Sequence, residues 1–210
     1  MMDGFNDVSS GAASIAGWRM LCQEREWCIM DGNRQPCWPF SRNMPREEFM
    51  AMLEGIYERS PWVAEHAWRA EPFGDIHSLH AALTQAVHSA DPPLQLSLIN
   101  AHPELAPDRA MQLTPESRSE QHGAGLDACD DARRHSLVTL NRAYRERFGY
   151  PFIIAVRGHD PDSIIAAMKA RLRRTEREER QEALDQINRI AWFRLNDRFS
   201  DSDSLDQPME

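Results

Sequence analysis

Pro45-Arg46-Glu47-Glu48-Phe49-Met50-Ala51-Met52-Leu53-Glu54-Gly55-Ile56-Tyr57 is the stretch whose reading decides the fold. Phe49, Met52, Leu53, Ile56 and Tyr57 recur at i, i+3, i+4, i+7 and i+8, which draws one apolar stripe along a helix and fits no strand. Pro45 suits the first turn, where a backbone N–H has no intrahelical acceptor to lose. The same period continues down the chain. A short helix is predicted over Pro61–Trp68, and another capped by Ser78 buries Leu79, Ala82, Leu83, Ala86 and Val87 before the Asp91-Pro92-Pro93 break. Leu94, Leu98 and Ile99 form a brief helix running into Ala101-His102-Pro103.

Further on, Thr114-Pro115-Glu116-Ser117-Arg118-Ser119-Glu120 reads as a helix start with Ser117 and Glu120 in a capping-box relation. Leu137, Leu140, Ala143 and Tyr144 mark a long helix that Gly149 and Pro151 stop. Asp160-Pro161 opens a helix through Ile164, Ile165, Met168 and Leu172, and the last runs from about Glu176 to Phe199 over Ala183, Leu184, Ile187, Ile190, Ala191 and Leu195. Phe152–Val156 is β-like in composition, but one five-residue run cannot build a sheet, so it is expected as an extended segment threaded between helices. The fold class is therefore all-α: one bundle-like domain of about seven helices with a single extended segment.

Outside this pattern, residues 1–40 hold no lasting apolar period and are expected as an N-terminal extension, partly disordered or docked through Trp18, Trp27, Trp38 and Phe40. Residues 200–210 are expected as a disordered acidic tail. The extension carries three bases and five acids and the tail four acids, which leaves residues 41–199 at −3 of the total formal charge of −9.

Composition excludes several classes of function. An acidic chain lacks the cationic surface that tracks phosphates, so no nucleic-acid partner is expected. The longest apolar run is Phe152–Val156, far below the roughly 18 residues of a membrane span. No basic n-region precedes an apolar stretch at the start, and the cytoplasm is the expected compartment. Cys22, Cys28, Cys37 and Cys129 follow no zinc-finger or C-x-x-C spacing and read as reduced thiols. Lys169 is the single lysine among 24 basic residues, leaving one candidate for Schiff-base chemistry, in an exposed arginine-rich stretch. His66, His77 and His80 match no paired zinc-ligand motif, and no metal is expected; a small metal hydrolase built on them is the reading ranked last. Neither a nucleophile elbow nor a dinucleotide fingerprint occurs.

Three positions stand out as candidate chemistry. His102 precedes Pro103, which pushes its backbone out of the α region at a helix end; an imidazole there suits an active site as well as a surface turn. Glu120-Gln121 lies in the first turn of a helix, where the carboxylate either completes a cap or faces a site. Arg157, beside Gly158 after the apolar run, puts a guanidinium at the end of a buried segment, with a surface ion pair as the alternative.

Ile99-Asn100-Ala101-His102-Pro103-Glu104-Leu105-Ala106, Ser117-Arg118-Ser119-Glu120-Gln121 with Ala124-Gly125-Leu126, Leu140-Asn141, Tyr144, Phe148-Gly149-Tyr150-Pro151-Phe152-Ile153-Ile154 and Arg194-Leu195 occur in that order. As an ordered set over residues 43–199, about three quarters of the chain, they resemble the OHCU decarboxylase family, where OHCU is 2-oxo-4-hydroxy-4-carboxy-5-ureidoimidazoline, an intermediate of urate breakdown.

The resemblance implies an all-helical, cofactor-free carboxy-lyase, usually a homodimer, that converts OHCU to (S)-allantoin. Residue by residue, it implies a catalytic histidine at His102, its partner acid at Glu120 and an amide at Gln121. It further implies a substrate-binding arginine at Arg157 and pocket positions at Pro103, Phe152 and Ile154. Tyr150 replaces the more usual Phe. A helical interaction module that has lost catalysis is the competing reading, against which stands the joint presence of His102, Glu120 and Arg157.

Overall fold

The computed structural model describes residues 27–30, 33–36, 38–40, 43–105 and 113–199. The chain divides into two compact units, residues 1–39 and 40–210. The first contains an antiparallel pair, β1 (Trp27–Met30) and β2 (Asn33–Pro36), with Cys28 opposite Gln35 and Ile29 opposite Arg34. The helical period gave no sign of it. Its signal is the two-residue spacer Asp31-Gly32, a dipeptide favoured in tight hairpin turns. The expected acidic tail lies outside the described residues.

The second unit holds eight helices among its described residues: α1 (Arg46–Met52), α2 (Trp62–Trp68), α3 (Ile76–Ser89), α4 (Pro92–Ala101), α5 (Pro115–Gly123), α6 (Asp131–Phe148), α7 (Pro161–Arg171) and α8 (Glu176–Phe199). Phe40 is fully buried, its ring meets those of Phe49 and Phe199 edge-on at 5.4 Å each, and its carbonyl accepts the Phe73 N–H. The helix stops sooner than the period suggested: α1 ends at Met52, with Phe49 inside it and Leu53 at its cap, while Ile56 and Tyr57 fall in the turns that follow; these four are buried and Met52 is half-buried. Two starts differ in detail. Asp75 caps α3, with Ser78 as the reciprocal partner of its capping box, and Thr114 caps α5 by accepting the Ser117 N–H. The second shift matters, because Glu120 is thereby released from any cap.

α8 is the axis of the core. Ala183, Leu184, Ile187, Ile190, Ala191 and Leu195 are buried along it, and both α3 and α4 pack on it. No described helix is long and apolar enough to cross a membrane.

Pro151–Val156 runs as extended chain, wholly buried, between α6 and α7. With no ladder neighbour, its backbone takes partners from side chains: the Ile153 carbonyl accepts from Arg171 at 2.7 Å, and the Ala155 N–H donates to Gln186 at 2.9 Å. Arg171 also stacks over the Phe152 ring at 4.4 Å. Its guanidinium pairs with Glu179, which is fully buried and also accepts the Tyr144 hydroxyl proton. A buried charge persists only when paired and hydrogen-bonded, and this cluster fixes the backbone of the segment that walls the candidate site.

Candidate active site

α4 ends at His102, whose φ of −76° and ψ of 138° are the extended conformation that Pro103 demands. The corner turns the imidazole inward. Its Nδ1 lies 2.9 Å from the Leu98 carbonyl oxygen, and because a carbonyl only accepts, Nδ1 carries the hydrogen. Nε2 is then left as the basic nitrogen. The ring is nearly all buried, and burial is the main cause that drives its pKa down to about 4. The bond to Leu98 and the Glu58 charge oppose that fall, and Arg194 adds to it. At neutral pH His102 is an uncharged base.

Glu120 and Gln121 come from the middle of α5. Pro103, Phe152 and Ile154 complete the cleft with them and His102, together with Ser117, Ile190 and Arg194. Gln121 donates to the Glu104 carbonyl at 3.1 Å, which ties α5 to the strand of chain leaving His102. Six of the seven residues singled out from the sequence thus share one hollow.

Arg157 is not among them. Its guanidinium forks onto Asp197 and lies 4.6 Å over the Phe193 ring, with half of the side chain exposed. Val156 lines the cleft, but the next residue's guanidinium is held by Asp197 outside it, close enough still to feel the charge of Glu120. The Tyr150 hydroxyl is also absent from the cleft; the ring is buried against Tyr144 and Phe148.

The guanidinium at the cleft belongs to Arg194, which the sequence reading quoted but gave no role. It is 7% exposed and stands one turn from Ile190 and Ala191, on the buried stripe of α8. A basic residue in register with the apolar positions Ile187, Ile190 and Ala191 is the signal that could have found it. Its Nε and Nη2 grip Glu120 at 2.6 and 2.9 Å, and Nη2 also donates to Ser117 at 3.3 Å. Nη1 donates to the Gly55 carbonyl at 2.9 Å and to Glu58 at 3.1 Å. A guanidinium has five N–H donors, so all are engaged. Gly55 has a φ of +79°, which glycine adopts at little cost, and this turns its carbonyl toward Arg194.

Two carboxylates therefore hold one cation beneath a neutral imidazole. Glu120 is 27% exposed, and each of its oxygens keeps a lone pair beyond the one Arg194 uses, whereas Glu58 is sealed at 2%. Such a site can bind donors at Glu120, move a proton at His102 and stabilise charge. Elsewhere, His77 and His80 flank Trp192 and the His66 ring meets Trp62; among the described residues no three His, Cys, Asp or Glu side chains are grouped to hold a metal ion.

Fold and cleft together make the described part of the second unit an all-helical domain with an acid–base site built from helices and one extended segment. Residues 42–196 match the family model described as OHCU decarboxylase. The 2-oxo-4-hydroxy-4-carboxy-5-ureidoimidazoline decarboxylase of Haloferax volcanii is 41% identical over 73% of this chain and 90% of its own. That of Amia calva is 35% identical over 72% and 87%. A crystal structure of (S)-allantoin synthase superposes with a TM-score of 0.60 at 33% identity, covering 74% of this chain, which spans half the length of that one. The chain belongs to the OHCU decarboxylase family.

Proposed function

We propose that this protein is a carboxy-lyase that decarboxylates OHCU to (S)-allantoin in urate degradation. The observation that carries the reading is the convergence of His102, Glu120 and a guanidinium on one cleft in a member of this family.

In OHCU the carbon that loses CO2 adjoins a C=N carbon. The electron pair of the breaking C–C bond moves onto the ring nitrogen of that C=N bond, which takes up one proton from solvent as CO2 leaves, so the reaction calls for no external electron sink. An enol remains, and it becomes allantoin when the hydroxyl proton leaves and the ureido-bearing carbon gains one. His102 suits both transfers. Its unprotonated Nε2 accepts the hydroxyl proton, and the imidazolium so formed returns a proton to one face of the carbon, which sets the S configuration. Glu120 accepts the ureido N–H groups through its outward lone pairs, while Arg194 keeps that carboxylate aimed. Arg194 thus stands where the resemblance implied Arg157. Pro103, Phe152 and Ile154 shape the apolar wall and Gln121 the polar rim, which together keep water from the carbanionic intermediate.

The test generates OHCU in situ from urate and follows the chirality of allantoin by circular dichroism. Formation of (S)-allantoin faster than spontaneous decay, lost in His102→Ala, is expected; a wild-type rate equal to spontaneous decay rejects the reading. The proposal extends to a cytoplasmic homodimer, as the family resemblance implies, with light scattering after size exclusion as the check on assembly.

A further inference from the structure

Beneath the cleft, Glu58 is a carboxylate that the chemistry above does not use. It comes from the connection between α1 and α2 and is almost completely buried. Its Oε2 accepts from Arg194 Nη1 and from the Ser117 hydroxyl, both at 3.1 Å. The backbone around it has little freedom. Tyr57, immediately before, is anchored to α8 by its hydroxyl, which donates to Asn188 at 2.8 Å. Arg59, immediately after, is held at a φ of +44°, a left-handed conformation unusual for a side chain of that size. Three residues earlier the Gly55 carbonyl meets the same nitrogen of Arg194.

Because all five donors of Arg194 are engaged, whatever draws Glu120 toward a substrate competes with the guanidinium for it. Of the two carboxylates, only Glu120 borders open space. With Glu58 in place, the cation stays balanced and anchored when Glu120 turns part of its charge outward. Without it, Glu120 is the one carboxylate left on Arg194 and is held more tightly.

We infer that Glu58 is a positioning residue, the fixed half of a two-carboxylate grip on Arg194 that leaves Glu120 available to the substrate. This rests on the decarboxylase reading, in which Glu120 binds the ureido group.

The test compares wild type, Glu58→Gln and Glu58→Asp. In the ligand-free proteins, the Arg194 Nε–H is followed by proton–nitrogen NMR and identified by its loss in Arg194→Lys. In wild type it is expected as a slowly exchanging signal. Glu58→Gln keeps the shape and removes the charge, and is expected to change the exchange rate of that signal by about tenfold and to raise KM by about tenfold with kcat within about threefold. Glu58→Asp, charged but one methylene short, is expected to fall between the two, and it serves as the test if Glu58→Gln does not fold. An unchanged Nε–H signal and unchanged KM in folded variants, with only melting temperature lowered, overturn the inference. Should wild type produce no (S)-allantoin above spontaneous decay, the decarboxylase reading fails, and the Nε–H exchange alone then decides whether Glu58 anchors Arg194.

Discussion

Burial of the His102 ring sets a measurable pH dependence of stability. In the unfolded chain the imidazole titrates near its ordinary value of about 6.5. In the folded protein burial lowers this to about 4, the bond to Leu98 and the charge of Glu58 only partly offsetting it. Between these values the unfolded state holds a proton that the native state does not. Stability contributed at this site is therefore complete above about pH 6.5 and is lost as pH falls toward 4. Integrating the proton difference from pH 7.5 to pH 4.5 gives a loss of roughly 2 to 3 kcal/mol, a large share of a typical folding free energy.

The perturbation is His102→Asn, whose side-chain N–H keeps a donor near the Leu98 carbonyl and carries no charge at any pH. Urea denaturation of both proteins across this range isolates the term, because every other titrating group is common to them. Wild type is expected to lose about 2 to 3 kcal/mol more than the variant. Parallel curves would falsify the assignment of His102 as a neutral, buried base. The same reasoning expects kcat/KM with no histidine titration near pH 6.5.

Other outcomes follow from the same geometry. Arg194→Lys replaces a five-donor fork by an ammonium with three donors, and is expected to lower kcat/KM by about a hundredfold in the coupled urate assay. Arg157→Ala removes an exposed ion pair with Asp197, and should change stability by less than about 1 kcal/mol and kcat/KM by less than about threefold. A loss as large as that of Arg194→Lys would return the substrate-binding role to Arg157. Arg171→Ala removes the close ion-pair partner of buried Glu179, leaving it the Tyr144 hydroxyl and Arg174 at 3.7 Å, and frees the Ile153 carbonyl, for an expected loss of roughly 3 kcal/mol in urea denaturation, with activity falling alongside. Glu120→Gln should raise KM for OHCU by about tenfold or more while the fold persists, as read from steady-state rates and far-ultraviolet dichroism.

Much of this was legible in residue order. Apolar side chains at helical spacing located the helices, since the 3.6-residue period is a local property of the backbone. The α8 stripe and the stop at Gly149 fall where the pattern placed them. The His102-Pro103 corner was readable too, because proline restricts the residue before it through bonded neighbours alone. Caps were less so. Ser78 and Ser117 are partners of Asp75 and Thr114, and several adjacent polar residues satisfy the same short-range rule. The hairpin at Trp27–Pro36 escaped a search tuned to the helical period.

Which charged groups meet was decided by tertiary structure. Arg157 and Arg194 are both arginines beside apolar runs, and local sequence does not say which turns outward. The outcome depends on Asp197 lying within reach of one, and on Glu58 and Glu120, 136 and 74 residues away along the chain, meeting the other. Order along the chain determined the helices, the family and the corner that carries the imidazole, because short-range sterics and hydrophobic period act between near neighbours. The choice of guanidinium, the tautomer of His102 and the buried carboxylate beneath them came from packing, because charges removed from water must be balanced by whatever the fold brings beside them.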